Sequence, residues 1–231
     1  MAFSIKSLEF LDENYVRNDR EWFKQHKQDY EELIIKPFTE LLSTLEPVMA
    51  KIDDKLICTP KCISRIYRDA RYVKGGAVFR DSLWVSVRRK KEPFALVPEF
   101  YFYIGLQGFG YGCGYYHAST AAMQQLREMA LSGDKVFTRA KKAFDSQDRF
   151  CLAGELYKKN RFPDAKPELW DWLNRKSICA CYDSTDSSEL FSDSLFERTA
   201  ADLEMLSPIY QLYVRMEERV TERSEKPHNT K

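Results

Sequence analysis

Three arginines and an aspartate crowd into one octapeptide, Arg65-Ile66-Tyr67-Arg68-Asp69-Ala70-Arg71-Tyr72, and Lys74 and Arg80 follow closely. A guanidinium presents its donors in a rigid fork that meets a carboxylate or phosphate through two bonds at once, so this set is a candidate anion site. Read as a strand from Ile63 to Tyr72, the segment points Arg65, Tyr67, Asp69 and Arg71 one way and Ile66, Arg68, Ala70 and Tyr72 the other. Arg65 and Arg71 are then the expected ligand contacts. Asp69 fixes their orientation, and Arg68 serves as an ion-pair partner on the opposite face. Val73-Lys74-Gly75-Gly76 reads as a glycine turn that brings a lysine and backbone donors to the rim, with Arg80 beside it. Asp69 makes a poor general base, because flanking arginines hold a carboxylate ionised. The competing reading is a solvated sheet face whose cross-strand ion pairs contribute a few tenths to about 1 kcal/mol each.

Charge is distributed unevenly. The whole chain of 231 residues is nearly neutral at +1, which argues against global steering toward nucleic acid or membrane. From Lys61 to Lys91, however, ten basic residues face only Asp69 and Asp81, a local +8, whereas Thr185 to Glu204 carries a local −5. Hydrophobic residues make up 44% and charged residues 31%, values that disfavour disorder, collagen and coiled coil. No stretch approaches the roughly 18 apolar residues of a membrane span. Glu9, Asp12 and Glu13 occupy the place where a secretion signal needs its apolar run, so a cytoplasmic protein without membrane association is expected.

Six cysteines, at 58, 62, 113, 151, 179 and 181, are expected to be reduced thiols. Cys58 and Cys62 lie four apart and Cys179 and Cys181 form a C-x-C, but neither pair has a zinc-knuckle context; no metal and no cofactor are expected. Histidine is scarce, at 26, 117 and 228, and His228 lies in the polar tail, which leaves little for a three-histidine metal site or a conventional triad.

The elements that must position these groups begin with helices. A short helix is expected around Ser7 to Glu13. An apolar face then recurs at gaps of three and four from Trp22 to Ile52, with Asn18 and Glu21 resembling a capping box. Pro37 and Pro47 are expected to kink or divide that helix. The period changes to two over Leu83 to Arg89, Phe100 to Leu106 and Phe109 to Tyr115, and all three read as strands. Glycine at every second position from Gly108 to Gly114 bares one strand face, letting a helix or neighbouring backbone approach closely.

Ser119 and Gly133 bound a further helix, and another covers Lys135 to Phe144. Phe150 to Tyr157 and Ser177 to Tyr182 read as strands, with a short helix from Pro167 to Asn174 burying Trp170. Two helices finish the chain, the last from about Pro208 to the Glu217–Arg223 charge cluster. The expected architecture is one α+β domain over residues 1–223: a mixed, mostly antiparallel sheet with packed helices, helical at both ends. A disordered tail is expected over 224–231.

The Arg65–Tyr72 octapeptide resembles the central signature of the family catalogued as domain of unknown function 2461. Members read Arg-Ile-Tyr-Arg-Asp, one variable residue, Arg-Phe, and then Ser-Lys-Asp-Lys-Thr-Pro-Tyr-Lys. Lys74 and Arg80 fall on two of its basic positions and Phe79 replaces the tyrosine, while Gly75, Gly76, Ala77 and Val78 depart from the Asp-Lys-Thr-Pro part. Phe10-Leu11 with Asn14 and Asn18, Trp22-Phe23, Tyr30 and Pro37-Phe38 are similar to the family's leading helices. Tyr101 through Gly114, Leu126-Arg127, Tyr157-Lys158-Lys159 and Pro167 through Ser177 resemble its later segments, with Lys166 where a histidine is usual. The resemblance brings no reaction, substrate or cofactor with it.

Three functional classes therefore stay open. The first is a protein that binds or acts on a phosphate- or carboxylate-bearing ligand through Arg65, Arg68, Asp69, Arg71, Lys74 and Arg80. Another is a nucleic-acid module, less favoured, with Tyr67, Tyr72, Phe79 and Trp84 as stacking groups among the cations. The last is a structural or interaction protein whose basic segment pairs with an acidic surface, its own Asp186–Glu204 stretch included. Whether the protein is an enzyme, its ligand, its oligomeric state and its pathway are left open at this level.

Overall fold

Capping chemistry sets the first helices. Helix α1 (Ile5–Arg17) starts at Ser4, which exchanges bonds with Ser7, and ends where Asn18 turns left-handed at φ 52°. The next helix, α2 (Arg20–Gln25), is capped by Asp19, not by Asn18 as the sequence pattern suggests; the Asp19 carboxylate accepts from the Glu21 amide at 2.8 Å. Asn18 is already committed to closing α1, so its neighbour takes the cap. A short α3 (Lys27–Tyr30) passes through a π-helical turn at Glu31–Ile35 into α4 (Lys36–Ile52). The π turn sits where Pro37 removes a donor; Pro47, in contrast, is carried inside α4 without ending it.

After β1 (Leu56–Ile57) the chain forms β2 (Ser82–Arg89), β3 (Glu99–Gly105) and β4 (Gly108–Gly114). Helices α5 (Thr120–Ser132) and α6 (Lys135–Asp145) follow, then β5 (Cys151–Ala153), α7 (Trp170–Leu173) and β6 (Cys179–Ser184). Three helices close the chain: α8 (Ser187–Leu190), α9 (Leu195–Met205) and α10 (Ser207–Ser224). This computed structural model describes residues 3–69, 71, 76–90 and 97–224; the expected tail beyond Ser224 lies outside them. Together the elements make one α+β domain on a six-stranded antiparallel open sheet of order β1-β2-β3-β4-β6-β5, with helices packed on it.

Two compact units divide the described residues. The first falls within Met1–Val87, Tyr101–Tyr111 and Asp183–Glu204. Its core is aromatic: Phe3 lies edge-on to Phe38 at 5.0 Å and stacks on Phe102 at 5.9 Å, all three buried. Such pairs add about 0.5–1.5 kcal/mol beyond the burial of their area. The second unit falls within Arg88–Phe100, Gly112–Tyr182 and Met205–Lys231. Here α10 packs on α5 and α6, and Trp172 meets Phe137 and Phe144 edge-on. Trp172 is the buried tryptophan of this region. The expected one, Trp170, stays at the surface because its indole N–H donates to the Ala165 carbonyl.

The baring of a glycine face in β4 has its physical cause in the neighbouring backbone. A Cβ on Gly114 would stand 2.5 Å from the Cys179 Cα on β6, closer than packed atoms approach. Strand β5 is shorter than the Phe150–Tyr157 expectation because Gly154, at φ 118°, turns the chain out of register; only a single bridge, Leu156 to Arg175, resumes the pairing.

Candidate functional site

The arginine-rich segment is extended but is not the continuous strand expected from Ile63 to Tyr72. Over its described residues it pairs through two isolated antiparallel bridges, Ile63 with Val85 and Tyr67 with Phe79. Side chains take bonds that a regular ladder would give to the backbone. The Ser64 hydroxyl accepts from the Trp84 amide at 2.9 Å, and Arg80 Nε donates to the Arg65 carbonyl at 3.1 Å. The Asp69 carboxylate accepts from the Arg71 amide at 3.0 Å, an Asx turn that stops the pairing. The alternation of faces survives: Ile66 is buried while Arg65 and Tyr67 are exposed.

Aromatic packing fixes this hairpin to α2. Phe79 is fully buried, and Phe23 lies 5.3 Å from it and 5.6 Å from Tyr67. From the end of α1, the Asn18 side chain accepts from the Val78 amide at 2.6 Å. These contacts leave a cavity of about 680 Å³ between α2 and the hairpin, lined by Arg20, Glu21, Lys24, Tyr67, Arg68, Gly76 and Val78. Among the described lining residues three cations thus face one carboxylate. Glu21 is paired with Lys24 at 2.7 Å, and that hydrogen bond raises the Lys24 pKa, so the amine stays an ammonium ion and a poor nucleophile at neutral pH. Arg68 lies 6.0 Å from the Tyr15 ring and has its Asp81 partner at 3.8 Å, a loose pair.

The other sequence-predicted residues are placed differently. Arg71 forks onto Asp69, with Nη2 to Oδ2 at 2.6 Å and Nε to Oδ1 at 3.0 Å, and the Arg71 side chain is 81% exposed. The hydrogen bonds from Arg71 hold the Asp69 carboxyl down at about 2. Arg80 lies over the Trp84 ring at 4.7 Å. Arg65 is exposed and gives the hairpin its carbonyl, and Lys74 lies outside the described residues. Of the six candidates, Arg68 alone is among the described residues that line the cavity. Sequence reasoning missed Arg20 and Lys24. Their spacing of four on a short helix was the available signal, beside the Asn18 and Trp22-Phe23 positions already singled out.

Among the described residues no histidine or cysteine lines this cavity. The His26 ring nitrogen Nδ1 bonds the Trp22 carbonyl at 2.8 Å and its ring stacks on Trp22 at 4.1 Å. Cys58 donates to the Leu42 carbonyl, and burial pushes its thiol up to about 12. All six cysteines are thiols, and among the described residues no group of three or more His, Cys, Asp or Glu side chains is disposed to hold a metal ion. Among the same residues no helix is long and apolar enough to cross a membrane.

Comparison with known proteins adds one finding: over residues 6–212 the chain matches the family described as conserved hypothetical protein (DUF2461), and it belongs to that family. No curated protein matches it.

Proposed function

We propose that this family member binds a small phosphate- or carboxylate-bearing ligand in the cavity between α2 and the arginine hairpin. The observation that carries the reading is the lining itself: Arg20, Lys24 and Arg68 around about 680 Å³, with Glu21 the single carboxylate among the described lining residues. Arg20 and Arg68 supply fork-shaped donors suited to two anion oxygens, and Lys24 supplies a point charge. Tyr67 offers a hydroxyl and a ring face to the remainder of a ligand. The Arg71–Asp69 fork and the Arg80–Trp84 stack lie outside the described cavity lining, which leaves Arg68 as the ligand-facing arginine of the octapeptide among the described residues.

Titration of the full chain with inorganic phosphate, pyrophosphate and citrate, followed by heteronuclear NMR or calorimetry, tests this. Expected are saturable binding that weakens with added salt, and shifts confined to α2 and residues 64–80. Absence of saturable binding by any of the three anions overturns the reading, as does affinity unchanged in Arg20→Ala and Arg68→Ala. Binding of single-stranded nucleic acid with a steep salt slope, in place of the small anions, favours the nucleic-acid class instead.

A further inference from the structure

We infer that Cys151 and Cys181 form a peroxide-responsive thiol pair that closes into a cross-strand disulfide. Strands β5 and β6 pair antiparallel with Cys151 directly opposite Cys181, and the two sulfur atoms lie 3.8 Å apart. Directly opposed residues in such a ladder have Cα atoms about 4.5–5.5 Å apart, inside the roughly 4.4–6.8 Å a disulfide spans, so side-chain rotation alone brings the sulfurs together. Access is asymmetric in the way such a reaction needs. Strand β5 is the last of the sheet order, and Cys151 is exposed on it, while Cys181 is 4% exposed. An outside oxidant meets Cys151 first, and Cys181 is the sulfur within reach to resolve it. Cys179 shares the β6 face but stands opposite Ala153, two pairs further along.

The oxidant class is a peroxide. The Cys151 thiolate attacks one oxygen of hydrogen peroxide and the O–O bond breaks. The sulfenic acid is formed, and hydroxide leaves to become water with the thiol's proton. The Cys181 sulfur then attacks the Cys151 sulfur; the S–O bond breaks, the S–S bond forms, and the departing hydroxide takes the Cys181 proton as a second water. The two sulfurs together give up two electrons, and the peroxide accepts them. The product staples the sheet edge and closes the loop that carries α7, Trp172 and Arg175.

The test is treatment of the full chain with hydrogen peroxide, alkylation without reductant, digestion and mass spectrometry. Expected is a peptide pair joined through Cys151 and Cys181, released by dithiothreitol, absent in Cys151→Ser and retained in Cys179→Ser. Cys151 is exposed, so its serine variant folds, as circular dichroism will verify. Three results overturn the inference: Cys151 carried on to sulfonic acid while Cys181 stays alkylated, Cys151 joined to another cysteine, or both thiols alkylated after treatment.

Discussion

Arginines in two regions of this protein meet opposite fates. In the second unit, Arg127 is 6% exposed and its donors end on backbone carbonyls. It donates from Nε to the Leu173 carbonyl at 3.0 Å and from Nη2 to the Arg175 carbonyl at 2.7 Å, and lies 5.5 Å from the Tyr157 ring. Arg175 beside it is 7% exposed and bonds the Gly154 carbonyl and Asp171. In the arginine hairpin, by contrast, Arg71 is mostly solvated and Arg68 holds a carboxylate only loosely at the edge of a cavity. Residue type does not distinguish these cases; partners do. A guanidinium whose donors end on buried backbone carbonyls is part of the fold, because removing it orphans those acceptors, whereas one facing a cavity with a weak partner keeps donors for a ligand.

The largest effect expected from this contrast is on stability. Arg127→Ala leaves two buried carbonyls without donors and removes the cation from the Tyr157 ring, at a cost of about 3–5 kcal/mol in urea unfolding. Arg127→Lys recovers less than half of that, since an ammonium group does not reproduce the fork. Loss of under about 1 kcal/mol in Arg127→Ala would erase the distinction between the regions.

At the cavity the expected effect moves from stability to binding. Arg68→Ala and Arg20→Ala should each weaken inorganic phosphate or pyrophosphate binding about tenfold, roughly 1.4 kcal/mol, with unfolding free energy within about 1 kcal/mol of the parent. Calorimetry beside urea titration separates the two quantities. Arg68→Ala that unfolds the chain without a binding phenotype would make Arg68 another structural arginine.

Much of the frame was legible in the sequence because its causes are local. Period-two patterning located β2, β3 and β4, and Ser119 with Gly133 bounded α5 to the residue, with the Ser119 hydroxyl on the Ala122 amide. What was not legible depends on side chains replacing backbone partners at long range. Ser64 bonding Trp84, Arg80 bonding the Arg65 carbonyl and Asp69 bonding the Arg71 amide break a strand that alternation alone predicts. The candidate site was half legible for the same reason: the octapeptide marked the hairpin, but Arg20 and Lys24 reach it through the packing of Phe23 on Phe79 and Tyr67.

The smallest effect concerns the Asp69–Arg71 fork, the most exposed of these pairings. Its hydrogen bonds depress the Asp69 carboxyl from an ordinary value of about 4 to about 2 in the folded protein. A carboxyl whose folded value is depressed favours the folded state in its ionised form. That contribution is therefore complete above about pH 4 and is lost as the pH falls toward 2. Asp69→Asn removes the titrating group, so the stability difference between parent and variant should be constant near neutrality and shrink on acidification through this window. Solvent screens the pair, which keeps the difference small, and added salt should reduce it further at neutral pH. Parallel urea titrations of both proteins from pH 7 to about 2 provide the measurement. A difference that grows on acidification would mean that the neutral carboxyl is the form the hairpin holds, and the fork would then not be what keeps the Asp69 turn in place.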